Sequence, residues 1–262
     1  MSALIWSVRR ELWEHRWLWS TPLIIAAVVV AVFSGVAFFQ GTSHTTSGLF
    51  DLASRMILMT GTIVAFVYCA EALHGERRDR AILFWKTWPV GDTTAVAAKA
   101  LVPVIILPAM TLAMLLVSQV IAHWIVMGKG FELKAPMASP FGAALEVFAA
   151  ALWIAPVYAW IMVVSAWARR AVLLLAFIPM LLVAIIEAMI TRQHTIGLAL
   201  SYRGVGRHWP LKLNLNSVSP GAMTTTPASE LLRSPALWLG VALALLLLAL
   251  VTALRRRMIA TN

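Results

Sequence analysis

Long runs without a single formal charge decide what this chain can fold into. Residues 22–39, 100–127, 147–168 and 235–254 contain no Asp, Glu, Lys or Arg, and residues 52–72 and 171–190 hold theirs close to the ends. At 1.5 Å rise per residue, about 20 apolar residues cross a hydrocarbon core roughly 30 Å thick. The six runs therefore read as six transmembrane helices. Hydrophobic residues make up 61% of the 262 and charged ones 12%, more apolar surface than a water-soluble domain of this size hides. The expectation is an all-α integral membrane protein forming one transmembrane domain over residues 1–262. Pro103 and Pro108 predict a kink or tilt in the third span.

The basic residues set the orientation. With the amino terminus in the cytoplasm, the inside segments carry Arg9, Arg10, Arg16, Arg77, Arg78, Arg80, Lys86, Lys99, Arg169, Arg170 and Arg255 to Arg257, thirteen of 21 Lys and Arg. The outside segments carry Arg55, Lys129, Lys134, Arg192, Arg203, Arg207, Lys212 and Arg233, which is eight. The bias places both termini in the cytoplasm, and the net charge of +10 fits orientation and contact with anionic lipid, with no call for nucleic acid. The first run follows a charged preface containing Glu11 and Glu14, with no small-residue cleavage site after Phe39, so it is expected to be retained. Cys69 is the single cysteine, and its expected role inside the second span is packing.

Residues 3–19 predict an amphipathic helix in the interface plane, with Ile5, Val8 and Leu12 on one stripe, Trp6, Trp13 and Trp17 on another, and Arg9, Arg10, Glu11, Glu14, His15 and Arg16 between them. It serves either as an anchor or also as a docking element. Residues 73–99 form the cytoplasmic loop richest in information. A charge cluster, Glu76, Arg77, Arg78, Asp79 and Arg80, leads into a short helix whose Ile82, Leu83, Phe84, Trp85 and Trp88 are too apolar for a solvated loop. Pro89 ends that helix, and Asp92 is placed to cap the next.

This loop resembles the first cytoplasmic loop of the ABC-2 type permeases, the membrane subunits of a class of ATP-driven exporters. The likeness rests on the cluster at Glu76 to Arg80, the hydrophobic short helix, Pro89-Val90, and Lys99 about ten residues on. The run D-R-A-I-L-F-W-K-T-W-P-V-G-D, residues 79–92, is similar to a bacterial subgroup, although Arg80-Ala81 replaces the Gly-Ser or Gly-Thr pair of many relatives. The outline agrees with the type V-like exporter permease architecture: an interfacial first helix, six spans and a large external insertion before the last.

The resemblance implies a bacterial inner-membrane permease subunit that exports an amphipathic, peptide, drug or lipid-like substrate. It implies that Phe84, Trp85, Trp88 and Pro89, rimmed by Glu76, Arg77 and Arg80, form a coupling helix seated on a separate ATP-binding subunit. Two copies of that subunit, carrying ATP and Mg, would pair with two permease copies or with this chain and a paralogue. The chain itself has no G-x-x-x-x-G-K-[ST] loop and no nucleophile-base constellation, so it is expected to bind no cofactor and catalyse no reaction. A non-transporting scaffold or a membrane enzyme is the alternative.

Four ionisable groups fall near the outer ends of their spans: Arg55, His123, Glu146 and Glu187. They read as structural ion pairs or as part of a substrate path. Residues 191–234 are too long for a plain connector and predict an external loop with re-entrant helices, 196–200 among them. The six histidines show no metal-ligand spacing. Met56 with Met59 and Met110 with Met114 read as packing, and Gly61 with Ala65 as a small-residue pair permitting close helix approach.

Overall fold

The computed structural model describes residues 3–40, 43–78, 91–128, 140–168, 170–191 and 228–260. Some side chains within those helices lie outside the description, Glu76, Arg77, His123 and Glu187 among them. Every element in the described residues is helical. In chain order they are α1 (Ala3–Glu14), α2 (Trp17–Gln40), α3 (Ser43–Arg78), α4 (Asp92–Leu101), a π-helical turn (Val102–Ile106), α5 (Leu107–Gly128), α6 (Pro140–Trp167), α7 (Val172–Thr191), α8 (Ala228–Arg233) and α9 (Pro235–Ala260). Four stretches are long and apolar enough to cross a membrane: Ala53–Gly75, Asp92–Ile121, Pro140–Trp167 and Pro235–Arg256. They mark a multi-pass membrane protein. Val172–Val183 is a shorter apolar helix, and α1 with the first part of α2 forms a pair bent by 60°.

Local sequence sets the boundaries. Pro140 and Pro235 each open a helix, at the position where a missing N–H costs nothing. Between α6 and α7 the chain turns through Ala171, whose φ of 51° lies in the left-handed region, at the short turn expected around Arg169 and Arg170. Asp92 is the first residue of α4 rather than its cap. Gly91 holds the cap position and has no side chain to cap with, while the Asp92 carboxylate turns to Arg255 of α9, 3.4 Å from its Nε.

The stretch Asp92–Ile121 continues as one apolar span through the π turn. Pro103 has no N–H for the carbonyl of Lys99, Pro108 has none for that of Val104, and each proline ring would crowd the carbonyl it faces. The ladder widens between them, and the Leu107 N–H reaches back to the carbonyl of Val102. The predicted kink is thus a widened turn.

The bundle is built around α6. Trp153, Ile154, Ala155 and Pro156 are buried in succession, which only a helix packed all round allows, and α3, α5, α7 and α9 all pack against it. Leu239, Leu245 and Leu246 of α9 face outward, as lipid-facing side chains do. Gly61 of α3 meets Thr111 of α5 so closely that a Cβ would run into its Cγ2, and Ala65, one turn on, is buried. Cys69 and Met114 are packed in the interior. The Trp160 indole of α6 donates to the Ala176 carbonyl of α7 at 3.1 Å. Residues 192–227, where the re-entrant helices are expected, lie outside the described residues, and α8 follows them.

Candidate functional site

The most buried charges in the described residues meet where α1 packs against α4. Glu11 and Lys99 are each 1% exposed, far below what such side chains show without a partner. The Lys99 ammonium donates to Glu11 Oε1 at 2.8 Å. Arg10 Nη2 donates to the same oxygen at 3.3 Å. Oε2 accepts the Tyr68 hydroxyl of α3 at 3.2 Å and lies 3.9 Å from His15 Nε2, whose ring stands edge-on to Tyr68. Both carboxylate oxygens are engaged by groups drawn from α1, its elbow, α3 and α4.

Electrostatics favour the charged form of Glu11. Burial by itself would push the Glu11 carboxyl up, but Lys99 at contact distance, with Arg10 and His15 beside it, outweighs burial and holds it below its ordinary range. Glu14, exposed at the end of α1, is pushed the other way by the partial loss of water around its carboxyl. A pair like this gains little over a well-packed apolar replacement, yet losing one partner leaves an uncompensated charge. Its effect is therefore positional: α1 has one seat on α4.

The local fold delivers these groups by turning the polar side of α1 inward. The side that faces the protein carries Ser7 and Glu11, whereas Ile5, Trp6 and Trp13 point outward and Arg9 lies over the Trp13 ring. The amphipathic pattern was legible. Which side met lipid was not, because in a membrane the polar face is the one that seeks the protein. The predicted helix over 3–19 also breaks at His15 and Arg16. The Trp19 indole braces that elbow by donating to the Leu12 carbonyl at 3.2 Å.

A second polar junction ties α3 to α6 at the same end of the bundle. The Ser165 hydroxyl donates to the Ala70 carbonyl at 2.6 Å and accepts the His74 N–H at 3.0 Å. Ala70 and His74 are each other's ordinary helical partners, so the hydroxyl is inserted into the ladder of α3. His74 Nδ1 lies 3.2 Å from the Ala168 carbonyl, which can only accept, so this nitrogen carries the proton.

The residues singled out from sequence fall in three places. Arg80, Phe84, Trp85, Trp88 and Pro89 lie outside the described residues; Glu76 and Arg77 lie on the last turns of α3 by their backbone. The loop they belong to joins the foot of α3 to α4, and Lys99 sits about 10 Å up α4 from its start. Arg55, His123, Glu146 and Glu187 fall toward the opposite end, on α3, α5, α6 and α7. Arg55 is partly buried and Glu146 exposed.

Sequence reasoning counted Glu11 and Lys99 as interfacial charges and missed their pairing. The available signal was a lysine at the threshold of a span with no acid within its own helical reach. Among the described residues no group of three or more His, Cys, Asp or Glu could hold a metal ion. In comparisons with family models, curated proteins and solved structures, nothing matches this chain.

Proposed function

We propose that the chain is the permease subunit of an ATP-driven exporter of the ABC-2 type, with six spans, both termini in the cytoplasm and the bacterial inner membrane as its site. Two ATP-binding subunits holding ATP and Mg grip residues 79–91, and a second permease copy or a paralogue completes the pore. The cargo is amphipathic: a drug, peptide or lipid-like molecule.

One observation carries this reading. An aromatic, proline-ended segment flanked by charge feeds straight into a helix whose foot is tied on both sides, to α1 through Lys99 and Glu11 and to α9 through Asp92 and Arg255. A push on that segment has a defined path into the bundle. Arg9, Arg16, Arg170 and Arg256, exposed at this end, agree with a cytoplasmic face.

The test is purification of the intact assembly. An ATP-hydrolysing subunit should accompany the chain, and substrate should stimulate hydrolysis. Phe84→Ala combined with Trp85→Ala should abolish the stimulation while the chain stays folded. An assembly without an ATPase, or wild-type coupling in the double variant, refutes the proposal.

A further inference from the structure

The two halves of α7 stand in different surroundings. Val172, Ala176 and Val183 recur at spacings that put them on one stripe of the helix. Val172 is 7% exposed and Ala176 0%, but Val183 is 48% exposed. The stripe that packs on the bundle near the start of α7 is therefore open further along. Two contacts mark where the packing ends. The Ala176 carbonyl accepts the Trp160 indole of α6, and the Phe177 ring stands edge-on to Phe66 of α3 at 6.1 Å. From Ile178 onward every described side chain of α7 except Met180 is exposed.

The facing surfaces agree. On α3, Arg55, Met59, Ile63 and Phe66 lie three or four residues apart and share the face that meets α7 at Phe66. Ile63 is exposed, and Met59 and Arg55 are partly so. On α6, Glu146 is exposed and shares the face of Trp160, about four turns away. A gap thus opens between α7 and the α3–α6 pair, apolar along its length and ending in Arg55 and Glu146, away from the Glu11–Lys99 pair.

We propose that this gap holds phosphatidylethanolamine, with an acyl chain between α7 and α3, the phosphate on Arg55 and the ammonium on Glu146. Apolar walls take an acyl chain as readily as another helix, since lipid tails are as apolar as leucine. A guanidinium offers five donors, enough to hold a phosphate beside other partners, and its stem lets it reach the headgroup layer. An ionised glutamate only accepts, so it calls for an N–H donor. A headgroup with a phosphate and a primary ammonium meets both residues, whereas an anionic headgroup meets Arg55 alone. The site requires the bilayer and holds whether or not an ATP-binding subunit drives the chain.

Fluorescence quenching in the full-length chain tests it, with Cys69, which is buried, left in place. Val183→Cys carries a bimane label in phosphatidylcholine vesicles containing an equal fraction of brominated phosphatidylethanolamine, phosphatidylglycerol or diacylglycerol. Phosphatidylethanolamine should occupy the gap about fivefold more readily than phosphatidylglycerol, and both more readily than diacylglycerol. A label at Ile185→Cys, on the opposite face of α7, should be quenched alike by all three.

Glu146→Gln should abolish the preference for phosphatidylethanolamine over phosphatidylglycerol at Val183→Cys. Arg55→Gln should remove the advantage of both phospholipids over diacylglycerol, and neither change should alter quenching at Ile185→Cys. Equal quenching by the two phospholipids in the parent, a preference that survives Glu146→Gln, or an advantage over diacylglycerol that survives Arg55→Gln overturns the site. So does a label at Val183→Cys that no lipid quenches while the one at Ile185→Cys is quenched, the result expected if a second copy of the chain fills the gap.

Discussion

Replacing Lys99 by Met keeps the length of the side chain and removes its charge, which isolates what the ion pair does for α1. Glu11 is then buried with Arg10, His15 and Tyr68 but without its closest partner. Two outcomes compete. The carboxylate can stay charged at the general cost of breaking a buried pair, about 3–5 kcal/mol, or it can take up a proton. From the ordinary carboxyl value of 4.5 to pH 7, protonation costs about 1.36 kcal/mol for each of 2.5 units, or roughly 3.4 kcal/mol. Protonation therefore caps the penalty near 3 kcal/mol at pH 7.

At pH 5 the same arithmetic gives about 0.7 kcal/mol. Ser7→Cys, on the buried face of α1, reports the opening. Its rate of reaction with a soluble maleimide should rise about 100-fold in Lys99→Met at pH 7, since each 1.4 kcal/mol is tenfold. At pH 5 the rise should shrink to about threefold. Glu11→Leu with Lys99→Met should bring the pH 7 rate back to within about tenfold of the parent, because a packed apolar pair replaces the charges. A rise below threefold at pH 7, or equal acceleration at both pH values, refutes the reasoning.

Three other outcomes follow from the same geometry. In the unmodified pair, the depressed Glu11 carboxyl contributes stability in full above 4.5 and loses it as the pH falls through the lowered value, so α1 should stay closed at pH 5 and open in stronger acid. Glu14, shifted upward, offsets part of that loss; the same thiol-labelling rates followed down in pH read the balance. Gly61→Ala should lower thermal stability by about 1–3 kcal/mol, because the Thr111 methyl is held in place by the hydroxyl bond to the Pro108 carbonyl at 2.9 Å, and Thr111→Ser should restore most of it. Ser165→Ala should cost about 1 kcal/mol, since Ala70 and His74 can close their own bond, whereas Ser165→Val should cost about 2–3 kcal/mol by holding that bond open; unfolding in mixed detergent separates the two.

The parts of this fold legible in the sequence were those written in neighbouring residues. Uncharged stretches marked the helices, Pro103 and Pro108 marked the irregular turn, and Gly61 with Ala65 marked a close crossing. Ser165 gave no such sign, since its partners lie more than ninety residues away. Glu11 and Lys99 are 88 residues apart, and no periodicity within one helix reports a contact between two. Asp92 misled for a related reason. A carboxylate at a helix start reads as a cap, but here a basic residue from the far end of the chain competes for it.

The brace at the elbow has a consequence for how the chain enters the bilayer. The Leu12 carbonyl belongs to the last turn of α1, where no helical N–H remains to satisfy it, and the ring of Trp19 supplies the missing donor from the next helix. A phenylalanine there would keep the bulk and lose the proton. The 60° corner would then have to be held by apolar contact alone, and the tilt of α2 would become a property of lipid thickness instead of the polypeptide.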